Sequence, residues 1–377
     1  MRELGPAFSV EGFASGALCG HTPSRRTPYG MDMNLFELTR ALVDVESVTN
    51  NEKQVGEFLF AHLSALASDF GGRIERIAAA PGRDNIFAAW GEPVVTLSTH
   101  MDTVPPFFAS SEDDEFVWGR GSCDAKGIIA AMIAAAERLL GAGTRNFGLL
   151  FLVGEERNSA GARAAAAAPR GSRFLINGEP TENQLALGCK GALRFEITAR
   201  GKLAHSAYPQ LGHSAIHALL DVLGDIRKIQ LLTEPMLGPS TLNVGTISGG
   251  RAPNVVADEA RAEIMFRTVG DPASLREGVA AAVSGRAEAR EVLHTPAIRL
   301  SGFDGLPTTS VAFTTDIPTL GVAWGKPFLI GPGSIHVAHT AEERVAKKQL
   351  SEAVEIYARM VTQLLLEGRV AEGRARS

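Results

Sequence analysis

The chain has 377 residues, long enough that two domains are the starting expectation. Hydrophobic residues make up 45% and charged residues 21%, an ordinary globular balance. A net charge of −5 argues against the basic face of a nucleic-acid binder, and no apolar run approaches the roughly 18–20 residues that span a bilayer. The three cysteines, Cys19, Cys123 and Cys189, are too scattered for a disulfide framework and suit a reducing cytoplasm.

Residues 1–30 are rich in Gly, Pro, Ser and Arg, lack periodicity and lack the apolar centre of a signal peptide. They read as a disordered extension, with a natural start at Met31 or Met33 as the alternative. From 35 to 69 the apolar spacing predicts one or two helices. A repeating unit follows: strand 94–98, helix 127–140, strand 147–153, helix 160–168, strand 173–177. Continuous apolar strands alternating with helices predict a mostly parallel sheet sandwiched by helices, an α/β fold.

Near 188 the texture changes. Strand 191–201 alternates in polarity, helix 214–229 is amphipathic, strands 241–250 and 259–267 follow, then helix 273–283 and a last strand near 289–294. This β-α-β-β-α-β order predicts a small α+β, ferredoxin-like layer. Past 297 apolar strands return (GVAW, PFLIG) and a helix spans 343–366. The expected organisation is a larger domain of 31–187 and 297–377 with an insert at 188–296.

The chemistry gathers at strand ends. VVTLSTHMD brings His100 and Asp102 just past a strand, LLFLVGEE brings Glu155 and Glu156, RFLINGEP brings Glu179, and PFLIGPGSIHVAH brings His336 and His339. Ligands of open α/β sheets bind at that edge. A fifth cluster, WGRGSCDAKG, places Asp124 and Lys126 ahead of a helix. Its glycines do not complete a phosphate-binding spacing, so it reads as a turn that delivers an acid. Cys123 reads as a small loop residue rather than a nucleophile.

Carboxylates crowded together resist ionising unless a cation joins them. Mixed His and Asp/Glu donors suit zinc, with cobalt or manganese as alternatives, and the lack of Cys donors argues against a closed structural zinc site. Five such donors suit a pair of divalent metal ions that acidify water and polarise a carbonyl. One carboxylate must then stay free as the base, and adjacent Glu155 and Glu156 can divide the two roles.

These segments, in this order, resemble the M20 family of metallopeptidases and deacylases, which includes acetylornithine deacetylase, succinyl-diaminopimelate desuccinylase and glutamate carboxypeptidase. The matching stretches are STHMDTVP, GRGSCDAKG, VGEE, NGEPTE and GPGSIHVAH, with GKLAHSAYPQLGHSA and GGRAPNVVADEARAEIMFR in the insert. The resemblance covers about 34–366. It implies that His100, Asp124 and Glu179 hold one metal and that Asp124, Glu156 and His339 hold the other. Glu155 would be the general acid/base, and Asp102 would orient His100. His205 would serve the partner subunit's site in a homodimer, with the insert as lid and dimerisation domain. Arg267 and Asn254 would contact the substrate carboxylate or its surroundings. AHTAEE selects His339 over His336, which reads as a pocket or surface residue. Ala257 stands where the family usually has Pro.

The expected function is a metal-dependent amidohydrolase that removes the acyl group from a small N-acyl amino acid, closest to acetylornithine deacetylase, by attack of water activated between the metals. The alternatives are a dipeptidase or carboxypeptidase, or the desuccinylase, with the same centre. A non-catalytic metal-binding protein on the same scaffold is the remote one.

Overall fold

The structure, a computed structural model, describes residues 33–375. The expectation for 1–30 lies outside the described residues.

Two helices, Leu35–Val43 and Lys53–Phe70, open the fold. Asn34 caps the first, its side chain accepting from the Phe36 and Glu37 amides while Glu37 reaches back to the Asn34 amide. A hairpin follows, Arg73–Ala80 with Arg83–Trp90, that the periodicity of the sequence does not reveal. Gly82 turns it at φ 70°, where a side chain would be strained.

The hairpin forms one end of a nine-stranded sheet. Its centre is four parallel strands in the order Phe147–Leu152, Val95–His100, Phe174–Asn177, Lys326–Leu329. Beyond them lie Leu185–Cys189, Ile298–Arg299 and Thr308–Val311. The strands Phe147–Leu152, Val95–His100 and Phe174–Asn177 are buried along their length because both faces are covered. Leu149 and Phe151 enter one core, with the Lys126–Gly141 helix and the C-terminal Lys347–Ala375 helix. Leu150 and Leu152 enter the opposite core with Ala162, Ala165 and Trp324. The period-two alternation thus feeds two hydrophobic layers.

Two expectations near the end are corrected. GVAW is not a strand but a 3-10 turn, Gly321–Trp324. Gly321 and Gly325 hold positive φ, and Trp324 is buried against Phe87, its indole N–H donating to the Ala165 carbonyl at 2.8 Å. The last helix begins at Lys347, because Arg344–Ala346 pairs with Phe116–Trp118 instead.

Residues 191–295 build a separate antiparallel sheet in the order Thr241–Gly249, Glu259–Thr268, Gly191–Arg200, Glu288–Thr295. Helices Ala215–Ile226 and Ala273–Val283 pack on it around Leu193, Phe195, Ile197, Ile264 and Phe266. Alternate residues of Glu259–Thr268 are buried, as a one-faced sheet requires. This is the β-α-β-β-α-β layer expected from the sequence.

Candidate metal centre

The central strand Val95–His100 ends on His100 itself, so the histidine is the strand's last residue rather than a loop residue beyond it. Its ring is almost fully buried. Nε2 lies 2.9 Å from Asp124 Oδ1 and 4.0 Å from Glu179 Oε2. Nδ1 meets the backbone carbonyl of Asp102 at 2.9 Å and its carboxylate only at 3.6 Å. Asp102 therefore orients His100 mainly through its main chain. Its carboxylate is engaged elsewhere. Thr49 Oγ1 donates to it at 2.7 Å, and the amides of Glu155 and Glu156 donate at 3.0 and 3.3 Å. One side chain thus ties the 100–102 segment to the loop that carries the glutamate pair.

Asp124 sits in the turn before the Lys126–Gly141 helix, and its peptide bond to Ala125 is cis. Its two oxygens face two histidines, Oδ1 toward His100 and Oδ2 toward His339 Nε2 at 3.3 Å. His339 Nε2 is also 2.9 Å from Glu156 Oε1. His339 adopts φ 63°, a left-handed conformation that costs a non-glycine residue about 1–3 kcal/mol and clusters at functional sites. Among the described residues, donor atoms of His100, Asp124 and Glu156 lie within 4.8 Å of one another.

The electrostatics follow from crowding. Burial, then the Glu179 charge, pushes Glu155 well above the ordinary carboxylate range. Burial does the same to Glu179, and raises Glu156 despite its bond to His339. Asp124 goes the other way: burial opposes ionisation, but hydrogen bonds from His100 and His339 hold its pKa low. The bonds to Asp124 and Glu156 raise His339 to about 10. One oxygen of Glu179, Oε1, is buried with no hydrogen-bond partner. Too many carboxylates for the charge present, an orphaned buried oxygen and imidazole nitrogens on either side of one aspartate fit divalent cations. The set lacks thiolate. Cys123 Sγ donates to the Ser334 carbonyl at 3.4 Å, and burial pushes its thiol pKa well up, so it is inert.

Two residues behind the centre were not singled out from the sequence. Glu343 is buried, and its Oε1 accepts from the amides of Gly121, Cys123 and Asp124 at 2.9, 3.3 and 3.1 Å, while its Oε2 pairs with buried Arg120. It shapes the turn that presents Asp124, and the acidic pair after His339 was its visible trace. Asp316 is fully buried near the Glu155 loop, and burial raises it to about 6. Nothing in TTDIP distinguished it from a turn residue. Lys126 belongs to the scaffold: its ammonium donates to the Val45 carbonyl, far from a phosphate-binding role.

The remaining expected residues divide into two groups. Arg267 is half-buried within electrostatic reach of Glu155, and its Nη1 donates to Thr314 Oγ1 at 3.4 Å. With Glu182, His336 and Phe313 it lines a cavity of about 490 Å³. His205 and Asn254 are exposed together on the insert, linked through the Ser206 amide and Asn254 carbonyl at 3.0 Å and a bridge from His205 to Val255. Among the described residues no hydrogen bond or ion pair links either to the His100–Asp124 cluster.

Imidazoles and carboxylates gathered at the carboxyl edge of a helix-covered parallel sheet fit the class of metal-dependent hydrolases. Comparison with known proteins specifies the family. The profile of peptidase family M20/M25/M40 matches residues 96–363. A peptidase M20 domain-containing protein of Schizosaccharomyces pombe is 39% identical over 87% of this chain and 84% of its own length. A probable carboxypeptidase of Aspergillus terreus is 36% identical, over 88% and 86% respectively. The structure of an M20 family metallo-carboxypeptidase from Sulfolobus solfataricus superposes with a TM-score of 0.72 at 16% identity, covering 89% of this chain and 99% of that one, and so shares the fold. The chain belongs to the M20 peptidase family. Among the described residues no helix is long and apolar enough to cross a membrane.

Proposed function

We propose that this enzyme releases an amino acid with a free α-carboxylate from an amide bond, in the manner of a carboxypeptidase. The observation that carries this is Arg267. Its guanidinium is half-buried within electrostatic reach of Glu155 and forms no ion pair among the described residues, so an anionic ligand would complete it. The carboxypeptidase names of relatives about 36% identical support a peptide on the acyl side. That reverses the order of preference drawn from the sequence, in which deacetylation came first. An N-acyl amino acid is the smallest member of the same substrate class, and the GPGSI…AH segment at 331–339 keeps that second reading.

His100, Asp124 and Glu179 would hold one divalent cation and Asp124, Glu156 and His339 the other, with zinc the best match to the donors. When bound, the cations supply Lewis-acid polarisation of the scissile carbonyl and make water more acidic. The chain supplies the rest. Among the described residues no group donates to the Glu155 carboxylate, whereas Glu156 is engaged by His339, so Glu155 is the group free to take a proton and return it to the leaving amine. Arg267 fixes the leaving residue by its carboxylate. His205, exposed and joined to its own cluster by no hydrogen bond or ion pair among the described residues, would complete the site of a second subunit in a homodimer.

The test compares blocked dipeptides with free and amidated C-termini. The free acids should be cleaved with kcat/KM at least about tenfold higher, the value of one charge-assisted contact. Equal cleavage of both series would remove the case for Arg267.

A further inference from the structure

We infer that the cavity beside the metal centre selects a leaving amino acid with a positively charged side chain, and that Glu182 is the residue that recognises it. The inference rests on the reading that Arg267 takes the leaving residue's α-carboxylate.

Glu182 lies three positions after Glu179, at φ 56°, in the left-handed region. Glycine is the unstrained residue there, and a glutamate costs about 1–3 kcal/mol. The strain is held by stitching. The amides of Glu182 and Asn183 donate to the carbonyls of Gly333 and Gly331, each at 2.8 Å, which joins this turn to the segment leading to His339. The side chain is fixed as well, because Ser334 Oγ donates to Glu182 Oε1 at 2.6 Å. Glu182 is exposed and lines the cavity, and no Lys, Arg or His forms an ion pair with it among the described residues.

The same cavity of about 490 Å³ therefore holds a guanidinium and a carboxylate that do not pair with each other. Their hydrogen-bond partners are hydroxyls, Thr314 for Arg267 and Ser334 for Glu182. A ligand that carries a carboxylate at one end and a cation at the other satisfies both. A C-terminal lysine, arginine or ornithine has that form. A neutral residue leaves Glu182 without a cationic partner, and an acidic one is repelled by it. Phe313 and Ile335 on the wall suit the methylene stem of such a side chain.

The experiment measures kcat/KM for blocked dipeptides ending in lysine, in norleucine (lysine without its amine) and in glutamate. In the parent protein lysine should exceed norleucine about tenfold, and glutamate should fall below both. Glu182→Gln, which can keep the bond from Ser334, should bring the lysine-to-norleucine ratio close to one. Glu182→Lys should favour glutamate over lysine. A parent ratio near one, or a lysine preference that survives Glu182→Gln, overturns the inference while leaving the carboxypeptidase reading intact. Failure to cleave any of the three by metal-loaded protein overturns that reading and this inference with it.

Discussion

Glu343→Gln tests whether one buried carboxylate shapes the turn that presents Asp124. In the structure Glu343 Oε1 accepts from three amides of that turn, and Oε2 faces Arg120, which is itself 2% exposed. Glutamine keeps an oxygen for the amides but removes the charge opposite Arg120. Leaving one partner of a buried ion pair without the other costs about 3–5 kcal/mol. Alanine would in addition orphan three buried amides at about 1–3 kcal/mol each, a sum comparable to the whole stability of a typical domain, so glutamine is the informative change. Because the turn carries Asp124, metal affinity should also fall, by about 10–100-fold. Urea unfolding of the metal-free protein reads the first effect, and competition with a chelator reads the second. A variant within about 1 kcal/mol of the parent, with unchanged metal affinity, would refute the role given to Glu343 in the turn.

Glu155→Gln should lower kcat by about 10²–10⁴-fold while metal content stays at the parent level, and a variant that kept most of its turnover would show that another group moves the proton. His205→Ala should be nearly inactive in a homodimer, yet mixing it with Glu155→Gln subunits should restore about a quarter of parent activity, because random two-fold pairing makes half the dimers mixed and one site in each complete. No recovery after mixing, with exchange confirmed by light scattering on tagged subunits, would place His205 outside the partner's site. Asp102→Ala removes the acceptor for the Glu155 and Glu156 amides, and should weaken metal binding by about 10–100-fold. Unchanged binding would mean that the loop holds its shape without Asp102.

The parallel sheet was legible because short runs rich in apolar residues alternate with Ala-rich helices, a pattern few other arrangements produce. The hairpin at 73–90 was missed because RIERIAAA mixes charges with alanine and carries no clear period of two. GVAW failed for the opposite reason: a short apolar run reads as a strand, and only the flanking glycines and the bulk of Trp324 show that it turns. At the site, side chains at strand ends announced themselves through residue type. What lies behind them did not. That Asp102 grips the Glu155 loop, and that Glu343 gathers three amides more than 200 residues away in sequence, are long-range facts with no local signature. Glu182 was visible in NGEPTE but carried no meaning until the fold set it in one cavity with Arg267.

The central claim is that His100, Asp124, Glu156, Glu179 and His339 hold the divalent cations on which amide hydrolysis depends. The most direct measurement is metal content by mass spectrometry alongside hydrolysis of a blocked dipeptide, for the parent and for Asp124→Ala. Up to two equivalents per chain are expected in the active parent, as two-metal hydrolases require, with loss of both metal and turnover in the variant. Parent protein stripped of metal and still fully active would contradict the claim.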